Sequence, residues 1–133
     1  MESWRSVHGP RIARIATLLW LTACVTGCRT AVQLPDPLAA GWRGRSVCEK
    51  LHEDDRLRVL RCTFAPGVGH ERHFHAAHFG YVLAGGRMRI TDEDGVREVD
   101  LLTSSTFSSD GIAWHEVLNI GDTTTVFLIV EPK

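Results

Sequence analysis

The 133-residue chain has no apolar run long enough to cross a bilayer as a helix: the longest, from Ile15 to Val25, is about a dozen residues, against the ~20 that a span requires. No segment keeps the 3.6-residue apolar period of an amphipathic helix, so a helical bundle is not expected. Internal repeats and low-complexity tracts are lacking, which excludes solenoid architectures. The net charge is −1, and no basic cluster survives once the amino-terminal arginines are set aside, so nucleic acid is not an expected partner. No pairing of side chains names a separate acid, base or nucleophile. Cysteine is scarce, at four residues, and two of the four fall in a segment that does not read as part of the fold.

That segment is the amino terminus. Arg5, Arg11 and Arg14 form a basic start, an apolar stretch follows, and it closes on Val25-Thr26-Gly27-Cys28. This layout resembles a bacterial lipoprotein signal, in which the cysteine is lipidated and becomes the first mature residue. Residues 1–27 are therefore expected to be a signal peptide and Cys28 the lipidation site. Leu21-Thr22-Ala23-Cys24 fits the same pattern, but a cut at Cys28 leaves an apolar core of more usual length. An ordinary secretory signal is the alternative. Arg29, in place of an aspartate, points to the outer rather than the inner membrane, with the protein facing the periplasm and touching the membrane through its lipid alone. Residues 28–45, with Pro35, Pro37, Gly41 and Gly44, read as a tether, and residues 46–133 as one domain of a size that buries a single core.

Export leaves Cys48 and Cys62 for that domain. They flank the polar turn Glu53-Asp54-Asp55-Arg56 and stand nearly opposite each other across a hairpin centred near Asp55. An oxidising compartment favours a disulfide between them. Downstream, short strands alternate with turn signals: 57–64, 70–75, 81–84, 87–91, 96–102, 106–107, 113–118 and the β-branched run 123–130. Asp94-Gly95 is a hairpin turn, because tight turns need the positive φ angles that Asp-Gly supplies. The domain is expected to be all-β, closed as a sandwich or barrel.

Five of the seven histidines lie between positions 70 and 115. His73 and His75, two apart on a strand, point to one face. His78 lies just beyond and His115, followed by Asn119, sits on a distant strand. Together they make a metal shell of convergent imidazoles, and nitrogen donors suit iron, zinc, nickel, copper or manganese better than magnesium or calcium. Strand parity places His70 on the other face, toward solvent, and Glu71 on the face of His73, where it is a weaker candidate ligand. Tyr81 is a weak candidate for holding substrate at the barrel mouth. Trp114 and Phe79 read as barrel wall, and Glu116 as outward-facing.

The spacing of Gly67, His73, His75 and Gly85 or Gly86 resembles the first motif of the cupin superfamily, in particular its small single-domain members with His-x-His-x-x-His. The glutamate usual in that motif is missing, and His78 falls near its place. Of the second motif, His115 and Asn119 match, while Ser104, Asp110 and Ile112 stand where glycine, proline and glycine are usual. The turn before His115 must then be built differently. The resemblance implies a double-stranded β-helix, a jelly-roll barrel, binding one divalent transition metal through His73, His75, His78 and His115. It also implies pairing of two copies. Two functions follow from it: a metal-dependent, dioxygenase-like enzyme acting on a small polar metabolite, or a non-catalytic module at the cell envelope that captures a metal or small ligand.

Cys28→Ser should leave the protein without lipid. Membrane fractionation of this variant tests the assignment, and unchanged membrane association would sink it.

Overall fold

The computed structural model describes residues 33–133; the signal expected over 1–27, Cys24 and the lipidation site Cys28 lie outside them. Eleven strands follow in chain order: β1 (Gly41–Trp42), β2 (Arg45–Ser46), β3 (Cys48–Glu53), β4 (Leu57–Phe64), β5 (Gly69–His75), β6 (His78–Ala84), β7 (Gly86–Asp92), β8 (Gly95–Leu101), β9 (Thr106–Ser109), β10 (Ile112–Asn119) and β11 (Thr125–Pro132). There is no helix among the described residues.

Beyond the small β1–β2 hairpin, the strands form two sheets, one ordered β5-β10-β7-β8 and the other β3-β4-β11-β6-β9, with every pairing antiparallel. Alternation sorts each strand into an inner and an outer row. On β4 the inner row is Arg58, Leu60, Cys62 and Phe64; on β11 it is Thr125, Phe127, Ile129 and Glu131. Leu60, Phe64 and Ile129 from one sheet meet Met88 of the other, and Val99, Leu101, Val117 and Phe127 pack around them. Removing these apolar side chains from water is the main force that closes the sandwich. Toward one end the inner rows turn polar, and the cavity between the sheets is lined by core residues on one side and polar ones on the other.

The turns carry the residues their geometry demands. Gly95 has φ of 115°, at the end of a hairpin in which Asp92 Oδ1 accepts the Asp94 amide. The turn from Leu102 to Ser105, closed by the Ser105 amide on the Leu102 carbonyl, has Ser104 at φ 68° where glycine is favoured. Gly111, at φ 137°, then supplies the positive angle one residue before the motif position that Ile112 holds. These two residues are how the turn before His115 is built differently.

The segment expected to be a tether is part of the packed body from Pro35 onward. Asp36 Oδ1 caps the turn that follows by accepting the amides of Leu38 and Ala39, the Pro35 carbonyl accepts the Phe74 amide of β5, and Pro37 and Ala40 are buried. Prolines in this stretch fix a course along the barrel rather than free it.

Cys48 and Cys62 are directly opposite in the β3–β4 register and are joined by a disulfide. The bond closes a loop with a sequence separation of 14, which by chain entropy stabilises the fold by about 3 kcal/mol. Cys48→Ala/Cys62→Ala is expected to lower the guanidinium unfolding free energy by roughly that amount; an unchanged midpoint would contradict it.

Candidate metal centre

Three strands, β5, β6 and β10, bring the histidines together. On β5 the inward residues are His70, His73 and His75, a spacing of three and then two, and on β10 they are Ile112, His115 and Val117. A strand cannot present residues three apart on one face without an extra residue in between. The β5–β10 ladder shows where it sits: Ile112 pairs with His75, His115 with His73 and Val117 with His70, so a shift in β10 before His115 is compensated by one in β5 after it. The two bulges flank the His73–His115 pair and turn both rings inward.

The bulge in β5 corrects two readings based on parity. His70 is not solvent-facing: it is 2% exposed, lines the cavity and stacks on His73 with ring centroids 3.8 Å apart. Glu71 does not join the cluster. It is exposed, and its Oε1 accepts the Arg43 amide at 2.9 Å.

His73 Nε2 lies 3.0 Å from His75 Nε2 and 3.0 Å from His115 Nε2. Each of these three residues offers a ligand atom within 4.8 Å of the other two. His78, at the start of β6, stands alongside with its ring 4.7 Å from that of His75. It lies outside the tight group of three. His73 is fully buried, and its Nδ1 donates to the Glu71 carbonyl at 2.7 Å, which leaves Nε2 as a bare lone pair. One in-plane lone pair accepts one good hydrogen bond. It faces two nitrogens at equal distance, so protons on neutral rings cannot satisfy both contacts, whereas one shared cation satisfies all three. His78 follows the same rule: its Nδ1 donates to the Ala76 carbonyl at 2.9 Å, leaving its Nε2 free. The donor set therefore fits a divalent transition ion.

Burial disfavours the charged form of His70, His73, His78 and His115. Desolvation, joined by the repulsion of neighbouring imidazoles, pushes His73 down to about 2 and His115 down to about 3, and desolvation pushes His70 down to about 4, from an ordinary 6.5. His78 is lowered for the same first cause.

The cluster forms one wall of a cavity of about 430 Å³. Most of the remaining wall is apolar, from Phe64, Met88, Ile90, Phe107, Ile112 and Phe127 among others, with Asp92, Arg97 and the hydroxyl residues Ser105, Thr106, Ser108 and Ser109 as its polar part. Asp92 is bound to Arg97 at 2.5 Å, and Arg97 is half exposed, which marks the rim. Gly80 faces this wall beneath Phe107: a Cβ there would meet the ring at 2.1 Å, so glycine is what makes room for Phe107, whose ring stands edge-on to that of His78. Tyr81 is not in the cavity; it alternates outward with Phe79 and Leu83, so Phe79 covers the outside of the wall. Trp114 is stacked under the Arg72 guanidinium, and Glu116 faces outward, 3.6 Å from Arg72. Asn119 serves the fold: its amide donates to the Phe64 and Thr123 carbonyls and its oxygen accepts the Gly121 amide.

Glu131 was not singled out from the sequence. It is 3% exposed, its Oε2 is bound by Arg58, and its Oε1 faces His75 Nδ1 at 3.5 Å. The signal was present, since Glu131 continues the inward row of Phe127 and Ile129.

No protein-family model matches the chain, and no curated protein matches it in sequence. Solved structures do match in fold. A cupin domain from Bordetella pertussis Tohama I is 20% identical, with a TM-score of 0.62 over 77% of this chain and 99% of that one. An RmlC-like cupin with a double-stranded β-helix fold from Methanocaldococcus jannaschii is 15% identical, with a TM-score of 0.53 over 65% of this chain and 78% of that one. The polyketide cyclase RemF from Streptomyces resistomycificus is 25% identical, with a TM-score of 0.51 over 64% of this chain and 63% of that one. The fold is thus the cupin-type double-stranded β-helix.

The lowered histidines make the metal-free protein acid-sensitive. The unfolded chain binds protons near pH 6.5 that the folded chain does not take up until near pH 4 or below, so stability is complete above about 6.5 and falls as the pH drops. The melting temperature of metal-free protein should decline steadily from about pH 7 to about pH 4.5. A flat profile would contradict neutral burial of the cluster.

Proposed function

We propose that the protein is a metal-dependent cupin that holds one divalent transition ion through His73, His75 and His115, with His78 as fourth ligand, and acts on a small molecule seated in the adjoining cavity. The observation that carries this is the convergence of three imidazole nitrogens on the cavity wall, with His73 Nε2 3.0 Å from each of the other two. Such an ion, when bound, supplies Lewis acidity toward an oxygen-bearing group of the substrate and, if it is iron, chemistry with oxygen of the dioxygenase type. The chain's own residues do the rest. Phe64, Ile90, Phe107 and Phe127 exclude water and take the apolar body of the molecule, while Arg97 and the serines at the rim meet a polar end. The expectation of a small polar metabolite is therefore narrowed to an amphipathic one with a metal-seeking head. That a polyketide cyclase shares the fold supports an enzymatic reading.

A second reading is a non-catalytic binding module. It is favoured by the fact that the two carboxylates next to the cluster are already engaged, Asp92 by Arg97 and Glu131 by Arg58, so neither is free to move a proton. In either case we place the protein in the cell envelope, as an exported lipoprotein facing the periplasm. The lipobox-like sequence supports this, as does the disulfide, a feature of oxidising compartments.

Elemental analysis of the protein purified without chelator, beside its His73→Ala/His75→Ala variant, tests the metal centre. Near-stoichiometric metal in the parent, and its loss from a variant that keeps the parent's far-ultraviolet circular dichroism, is the expected result. No metal in either protein after reconstitution with several divalent ions would overturn it.

A further inference from the structure

Behind the histidine cluster runs a line of charged side chains that the metal ligands alone do not explain. His73 and His78 each anchor Nδ1 on the carbonyl two residues back, at 2.7 and 2.9 Å. His75 has no such carbonyl. Its Nδ1 is buried without a hydrogen-bond partner, and so is Glu131 Oε1, yet the two atoms face each other at 3.5 Å. An acceptor and a ring nitrogen left unpaired in the same dry spot cost several times what a made hydrogen bond returns, unless they serve each other.

The other carboxylate oxygen is fixed. Glu131 Oε2 accepts from Arg58 Nε at 2.6 Å and lies 2.5 Å from Arg58 Nη2, and Arg58 Nη1 donates to Asp36 Oδ2 at 2.6 Å. Arg58 and Glu131 are paired in the β4–β11 register, and Asp36 sits in the segment that leads into the barrel. The carboxylate is thus held from behind, with one oxygen left to face His75.

We propose that Glu131 is a positioning residue of the metal centre: it accepts the Nδ1–H of His75, which fixes the tautomer that bares Nε2 toward His73 and His115, with Arg58 and Asp36 holding the carboxylate in place. The inference rests on the metal reading above for its consequence, but not for its geometry. A histidine ligand that gives its outer N–H to a carboxylate is held in orientation and made a better donor, and loss of such a partner weakens metal binding by roughly 10–100-fold. Glu131 does for His75 what the carbonyls of Glu71 and Ala76 do for His73 and His78.

The first test needs neither a variant nor a metal. Imidazole nitrogen-15 spectra of the full chain, metal-free and near neutral pH, report which ring nitrogen of His75 carries the proton. Protonation at Nδ1 is expected; protonation at Nε2 would overturn the proposal. The second test compares Glu131→Gln, which keeps an acceptor oxygen, with Glu131→Leu, which removes it, by cobalt(II) competition against a chelator and by the cobalt visible spectrum. Glu131→Leu should bind cobalt roughly 10–100-fold more weakly with an altered spectrum, while Glu131→Gln stays close to the parent. Parent-like affinity and spectrum in Glu131→Leu would remove the role of Glu131 and leave the metal centre standing. A parent that binds no cobalt would fail the metal reading itself. If Glu131→Leu does not fold, the tautomer in the parent still decides.

Discussion

A bare lone pair on His73 Nε2, pressed between two other imidazole nitrogens at 3.0 Å, is the constraint around which the polar end of this barrel is arranged. It exists because the Glu71 carbonyl claims the opposite nitrogen of the same ring and because full burial denies the ring a proton. Neutral rings alone leave that crowding unresolved. The compensating bulges on either side of the His73–His115 pair bring it about, since a regular ladder would aim one of the two rings outward. The site is thus written into the backbone pairing as much as into the choice of histidine.

The rest of the inner surface divides cleanly. At one end, Leu60, Phe64, Met88 and Ile129 pack the sheets together and a disulfide ties the edge strand β3 to β4. At the other, the same inner rows carry histidines on β5, β6 and β10 and a carboxylate on β11. The apolar rows hold the barrel together and, with the histidines, line the cavity between the sheets. Glycine at position 80 is part of that division, because it makes room for Phe107 to serve as wall rather than filling.

The all-β architecture, the hairpin at Asp94-Gly95, the pairing of Cys48 with Cys62 and the shared inward face of His73 and His75 were legible because each depends on local rules: alternation, turn chemistry and position along a hairpin. What misled was whatever crossed a bulge. Parity counted through Glu71 and Arg72 put His70 outside and Glu71 inside, and the extra residue reverses both. Tyr81 failed for the opposite reason, since strict alternation from His78 along β6 sends it outward. Glu131 went unnoticed because a charged residue near the end of a strand reads as exposed until its partner is known, and Arg58 is 73 positions away in sequence. The proline-bearing segment from Pro35 to Arg45 lacks apolar periodicity, yet a few hydrogen bonds and the buried Pro37 are enough to hold it.

The central claim is that the histidine cluster is a nitrogen-donor metal site, and X-ray absorption at the metal edge of protein loaded with one equivalent of zinc or cobalt tests it most directly. The account predicts a first shell dominated by nitrogen, with the outer-shell scattering of at least three imidazoles. A shell of oxygens without imidazole scattering, or one containing sulfur, would contradict it.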